Sequence, residues 1–136
     1  MPEYPPLWIP GHPRPKGSWT PGRNKKSGKI FFRHASSKTA TWCKHAKEVV
    51  TKKWRGPLIA GPVGLRFKFF LPKLKTVIRP YPTGAKEGDQ DKLIRAIYDA
   101  MTGVVYVDDC QVVDSTESKR YTDGEPGVEV IVYDDY

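Results

Sequence analysis

Between Val63 and Phe70 the chain alternates at a period of two, with Val63, Leu65, Phe67 and Phe69 on one side and Gly64, Arg66, Lys68 and Phe70 on the other. That period marks a strand with one buried face, so the chain builds a sheet that needs an apolar cover. Two segments at helical spacing supply it. Trp42, Cys43, Ala46, Val49, Val50 and Trp54 recur every three or four residues, which predicts a helix over about Lys38 to Trp54, with Ser36 and Ser37 as N-cap candidates. Leu93, Ile94, Ile97, Tyr98 and Met101 do the same over about Gln90 to Thr102, and Gly103 follows in the C-terminal cap position.

The remaining segments are read around these three. Leu7 to Pro10 is a short extended piece that runs into Pro10-Gly11-His12-Pro13-Arg14-Pro15-Lys16-Gly17, a fixed loop too rich in Pro and Gly for a helix. Arg23 to Lys29 reads as a basic hairpin tip and Ile30-Phe31-Phe32 as its returning strand. Pro72 to Gly88 is a loop longer than the ~12–15 residues usual for unstructured connections, and such loops tend to be functional. Val104 to Val107 reads as a short apolar strand beside the second helix. Gln111 to Tyr121 is extended, Asp123 to Gly127 is a turn, and Val128, Val130 and Val132 form the face of a last strand. The order predicts one domain over 1–136, a mixed α/β or α+β sheet with two main helices packed on it.

The formal charge of +8 is unevenly divided. Residues 1–86 hold 19 Lys or Arg and 2 Asp or Glu, whereas residues 87–136 hold 4 and 13. A basic front suits a polyanion such as nucleic acid. No apolar run reaches the ~18 residues of a membrane span, and the start lacks the pattern of a signal peptide, so a cytoplasmic protein is expected. Cys43 and Cys110 support neither a disulfide framework nor a zinc site and are expected to pack as small apolar residues. His12, His34 and His45 lack metal-ligand spacing, and no Gly-rich phosphate loop or nucleophile elbow is present. No organic cofactor is expected.

Asp89 and Asp91 stand where the long loop meets the second helix. One of them suffices to cap the helix; a pair at this spacing can turn both carboxylates to one side, which is unfavourable without a cation. Asp108 and Asp109 follow the next apolar segment, where a turn is the simpler assignment. Should these acids converge, an all-oxygen set would suit magnesium, or manganese in its place. In a basic protein, such an ion serves phosphodiester hydrolysis. Arg95 lies one turn after Asp91, able to pair with Asp91 or Asp99 or to meet a phosphate oxygen.

The run Gly88-Asp89-Gln90-Asp91-Lys92-Leu93-Ile94-Arg95-Ala96-Ile97-Tyr98-Asp99-Ala100-Met101-Thr102-Gly103, followed by Val107-Asp108-Asp109-Cys110-Gln111-Val112-Val113-Asp114, resembles the RusA-like Holliday junction resolvases of phages and prophages. The Pro10 to Gly17 segment is similar to that family's N-terminal Pro-Gly-x-Pro-x-x-Lys-Gly, and Lys119 falls where many members carry Lys. The resemblance implies a RusA-like fold and a homodimeric, magnesium-dependent endonuclease that nicks four-way DNA junctions symmetrically. It places the metal on Asp89, Asp91 and Asp109, with Asp108 adjacent. Lys92 stands where well-known members have Asn, and Arg95 where they have a catalytic Lys. The positive charge survives that change, but Arg is a poor proton donor.

For such an enzyme, Lys16, Arg23, Lys25, Lys26, Arg33, Lys73, Lys75, Arg79, Lys86, Lys92 and Lys119 are the expected phosphate contacts, and Trp19, Phe32 or Tyr81 could stack on unpaired bases. Two rival readings use the same residues. One is a restriction-type nuclease built on Asp108 or Asp109 with Glu117-Ser118-Lys119. The other is a basic DNA-binding module without catalysis, in which the acids only cap and turn.

Overall fold

The computed structural model describes residues 4–16, 26–28 and 37–136, and the backbone alone of 19–23 and 30–34. Lys25 and Ser36, and the side chains of Trp19, Arg23, Phe32 and Arg33, lie outside the described residues. The elements are β1 (Leu7–Pro10), β2 (Trp19–Arg23), β3 (Ile30–His34), α1 (Ser37–Lys53), β4 (Val63–Pro72), α2 (Gln90–Met101), β5 (Val112–Thr122) and β6 (Gly127–Tyr133). Strands β1, β6, β4 and β5 form one mixed sheet in that order, and β2 and β3 pair separately as an antiparallel hairpin. The fold is mixed α+β, as the alternation of patterns predicted.

Strands β4 and β5 run parallel, whereas β4 with β6 and β6 with β1 are antiparallel. Neighbouring parallel strands need a crossover connection, and here the long loop and α2 provide it. Helix α2 therefore lies across the sheet and returns the chain to the edge strand β5. Its buried side, Leu93, Ile94, Ala96, Ile97, Ala100 and Met101, meets Leu65, Phe67 and Phe69 of β4 and Val128, Val130 and Val132 of β6 in one core. Trp42, Ala46 and Val50 of α1 close that core above β1. Burying each large apolar side chain contributes about 1.5–3 kcal/mol, so this single face carries most of the stability. Among the described residues, no helix is long and apolar enough to cross a membrane.

Two expectations are corrected. Val104 to Val107 is not a strand. Gly103 adopts a positive φ of 81°, and the turn it makes consumes the local backbone groups: its amide donates to the Tyr106 carbonyl at 2.7 Å, and the Val104 and Val105 amides donate to Met101. Tyr106 is left with isolated bridges to Ile59 and Thr102, and burial holds it, its hydroxyl donating to the Tyr98 carbonyl at 2.9 Å. Cys110, expected to be packed, is exposed and hydrogen-bonded to Asp108, because the turn carries it to the surface.

Candidate active site

The chain enters α2 through Gly88, whose φ of +96° is a backbone state that side chains disfavour. A Cβ there would lie 2.7 Å from the Pro15 ring, so the loop following β1 packs directly on this turn. That loop is tied down further by Lys16, whose amide donates to the Lys92 carbonyl at 2.9 Å and whose ammonium pairs with Asp99. The start of α2 is thus clamped from the side of the N-terminal motif.

Asp89 occupies the N-cap position, yet its carboxylate makes no capping hydrogen bond. It is exposed, and Lys92 Nζ lies 3.7 Å from it. Asp91 is exposed in the first turn, and Arg95 and Tyr98 follow it at positions four and seven, along one stripe of the helix. Capping therefore explains the position of Asp89 in the backbone but leaves the function of its carboxylate open.

The facing wall is β5. Its register pairs Ser115, Glu117 and Lys119 with Leu65, Phe67 and Phe69, and paired residues project from the same side of a sheet. These three polar side chains therefore point to the helix side, where β5, as an edge strand, leaves them half-buried. Two contacts fasten strand to helix. Ser115 and Tyr98 share a side-chain hydrogen bond, and Lys119 Nζ donates to the Gly88 carbonyl at 2.8 Å. Glu117 lies between these two residues along β5 and accepts a hydrogen bond from Ser115 Oγ at 2.6 Å. Burial raises the Tyr98 phenol pKa, and the Glu117 and Asp109 carboxylates add to that rise against the effect of the Ser115 hydrogen bond. Both acids thus lie near enough to act on the same tyrosine.

Asp109 is half-buried at the start of a 3-10 turn that leads into β5. Gln111 fixes that turn. Its Oε1 accepts the Asp108 amide at 2.9 Å, and its Nε2 donates to the Ile59 and Gly61 carbonyls at 2.8 and 2.9 Å. Asp108 is engaged locally: a hydrogen bond with Cys110 and the nearby backbone amides hold its carboxyl below the usual range. Replacing Gln111 by Leu should remove three hydrogen bonds and lower stability by about 1–3 kcal/mol, measured by urea denaturation.

Among the described residues, no three His, Cys, Asp or Glu side chains already sit together as an ion-holding group. The structure brings Asp89 and Asp91 to one helix start and Asp108 and Asp109 to one turn, without gathering all four. Asp89 faces Lys92. The donor chemistry still fits a hard divalent ion: the acids supply oxygen only and most are open to water, as suits magnesium, which keeps several waters.

The family model of the endodeoxyribonuclease RusA matches residues 10–133 of the chain. The chain belongs to the RusA endodeoxyribonuclease family. It is also 30% identical over 129 residues to the uncharacterized protein YqaN of Bacillus subtilis (strain 168), covering 88% of this chain and 85% of that one. As a RusA endodeoxyribonuclease, the chain is a hydrolase acting on DNA, in a family of Holliday junction resolvases that bind branched DNA and need a divalent metal.

In this RusA fold the expected phosphate contacts fall into two groups. Lys73, Lys75 and Lys86 are exposed, Lys73 lying 5.6 Å from the Tyr121 ring centre, and Lys26, also exposed, has a partner of its own. Lys16, Arg79, Lys92 and Lys119 already have protein partners: Asp99, Glu87 at 2.5 Å, Asp89 and the Gly88 carbonyl. Tyr81 is exposed. Sequence reasoning missed Ser115 and the role of Tyr98, and it placed Glu117 only in a rival site. The alternation Ser115, Glu117, Lys119 carried the missing signal, since a strand that alternates polar residues toward a helix is building more than a core.

Proposed function

We propose that this protein is a magnesium-dependent endonuclease, able to use manganese, that resolves four-way DNA junctions by paired symmetric nicks. Asp89, Asp91 and Asp109 would hold the ion, with Asp108 beside them. The observation that supports this most is an N-cap aspartate whose carboxylate does no capping, followed two residues later by a second exposed aspartate, in a basic protein. When bound, a divalent ion supplies an acidified water and neutralises charge on the scissile phosphate.

The chain's own residues do the positioning. Arg95 presents a guanidinium one turn beyond Asp91, suited to a non-bridging phosphate oxygen, and it binds and orients without delivering a proton. Lys119 holds the Gly88 carbonyl and with it the turn that carries Asp89. Glu117, fixed by Ser115, orders the site from the strand side. The restriction-type reading is in part absorbed here, because Lys119 meets the turn that carries Asp89 and Glu117 projects from the same side of β5. Glu117→Gln should slow cleavage by about 10–100-fold in single-turnover assays while leaving junction binding unchanged. An unaffected rate would remove Glu117 from the site.

We also propose that residues 1–136 form one endonuclease domain and that two copies associate about a two-fold axis, which would set two cutting sites on two strands of a two-fold-like junction. Sedimentation at several concentrations checks this. The protein would act in the cytoplasm of a bacterial host, as a phage or prophage product. To test the metal requirement, protein stripped with chelator is mixed with a labelled junction. Nicking that returns with added magnesium or manganese supports the proposal, and nicking that persists in excess chelator contradicts it.

A further inference from the structure

The long loop between β4 and α2 carries an apolar tip that the cutting site does not use. Residues 72–86 hold four Lys or Arg and no Asp or Glu. Among those cations stand three exposed apolar side chains: Leu74 at 69%, Tyr81 at 55% and Ile78 at 93%, the last the highest of the large apolar residues described. Tyr81 is the residue that the sequence offers for stacking, yet it is Ile78 that the fold leaves most open to water. A single exposed apolar residue is ordinary on a protein surface. Three between positions 74 and 81, in a segment without one acid, make a pattern that a solvated loop does not need.

The tip is held out rather than left loose. On one side of Ile78, the Val77 amide donates to the Leu74 carbonyl at 3.0 Å and closes a turn. On the other, the Arg79 guanidinium donates to Glu87 Oε1 at 2.5 Å, and the same oxygen accepts the Gly84 amide at 2.9 Å. A Cβ on Gly84 would collide with that ion pair, so the glycine lets the loop close on itself. Pro82 is buried. Ile78 therefore sits between two tied neighbours.

An apolar side chain held in water gains when something covers it. The chemistry around Ile78 narrows what that is. The cations of the loop suit phosphates, whereas Ile78 suits the flat apolar face of a base. In a regular duplex those faces are stacked and closed. At the centre of a four-way junction the strands exchange partners and the stacks are interrupted. Apolar wedges, Ile among them, enter base steps that unstack readily.

We propose that Ile78 is an apolar wedge that enters the branch point of the four-way junction, with Lys75 and Lys86 of the same loop on nearby phosphates. The wedge makes binding selective for branched over linear DNA and contributes neither a metal ligand nor a reacting group. This rests on the junction-resolving reading above and names what recognises the branch.

The test uses the full chain and a four-way junction carrying 2-aminopurine at the branch point, in chelator, so that binding is read without cutting. The base brightens when it leaves the stack. Saturating wild type should raise the fluorescence, and Ile78→Ser should lose most of that rise. The preference of Ile78→Ser for the junction over a linear duplex should fall by about tenfold, the loss expected when one large apolar side chain is left uncovered. Ile78→Leu should restore both. The slope of log K against log salt should be unchanged in Ile78→Ser and smaller by about 0.9 in Lys75→Gln. Ile78 is almost fully exposed, so Ile78→Ser should keep the wild-type Tm. A fluorescence rise or a junction preference equal in wild type and Ile78→Ser overturns the wedge. So does an Ile78→Ser protein that sediments as a smaller species without DNA, because the tip is then a contact between copies. Cutting is read separately. A wild type with an Ile78-dependent rise that never nicks in magnesium contradicts the endonuclease reading and leaves the wedge standing, whereas nicking with no such rise does the reverse.

Discussion

Asp91→Asn should leave the fold and junction binding intact while lowering the single-turnover cleavage rate by about 10²-fold or more. Asn has the same shape, so what is lost is one negative oxygen donor. A metal ion contributes several kcal/mol to stabilising the transition state, and each 1.36 kcal/mol is tenfold in rate. Asp91 is exposed and in the first turn of α2, where its carboxylate also favours the positive end of the helix dipole. The stability penalty should therefore be only about 0.3–1 kcal/mol. Junction binding should be unchanged or tighter, because a negative charge is removed from a surface that meets phosphates. A variant that cuts at the wild-type rate would mean that Asp91 is merely a helix-start charge.

The second large effect is expected at Gly88. An alanine there must hold φ near +96° and place its Cβ 2.7 Å from Pro15. The backbone state costs about 1–3 kcal/mol, and the clash adds to it. Gly88→Ala should lower Tm by roughly 10 °C. Cleavage should fall further than the loss of folded protein explains, since Gly88 carries the carbonyl held by Lys119 and is bonded in sequence to Asp89. Gly103→Ala is the matched control. It shares the positive φ, at 81°, but its Cβ would meet nothing within 4 Å. It should lose about 1 kcal/mol and keep its activity. Equal effects at both glycines would show that the Pro15 contact does not position the site.

Much of the fold was legible where one periodicity dominates. The alternation in β4, the two apolar helix stripes and the position of Gly103 each follow from local pattern, and the structure has them within a few residues of the expected limits. Val104–Val107 misled because a short apolar run looks alike in a strand and in a buried turn, and Gly103 decided for the turn. Side-chain ties over long separations left no local trace. Lys47 donates to the Thr102 carbonyl, and Lys53 to the Trp8 carbonyl at 2.6 Å.

The acids of the site were legible individually, through spacing that capping alone does not require. The wall opposite them was not. It depends on β5 returning parallel to β4 in a register that sets Glu117 beside Phe67, and sheet register is fixed by tertiary packing. Lys119 shows the same limit: in the sequence it is one more cation for phosphate, and in the fold its ammonium meets the Gly88 carbonyl.

The most direct measurement compares a four-way junction labelled on each strand in turn with a linear duplex of the same sequence, both incubated with the protein and magnesium. Nicks at symmetric positions on two opposed strands of the junction, with the duplex left uncut, are the expected result. Equal cleavage of the duplex, or binding to the junction without any cut, would contradict the assignment of Asp89, Asp91 and Asp109 to a junction-resolving site.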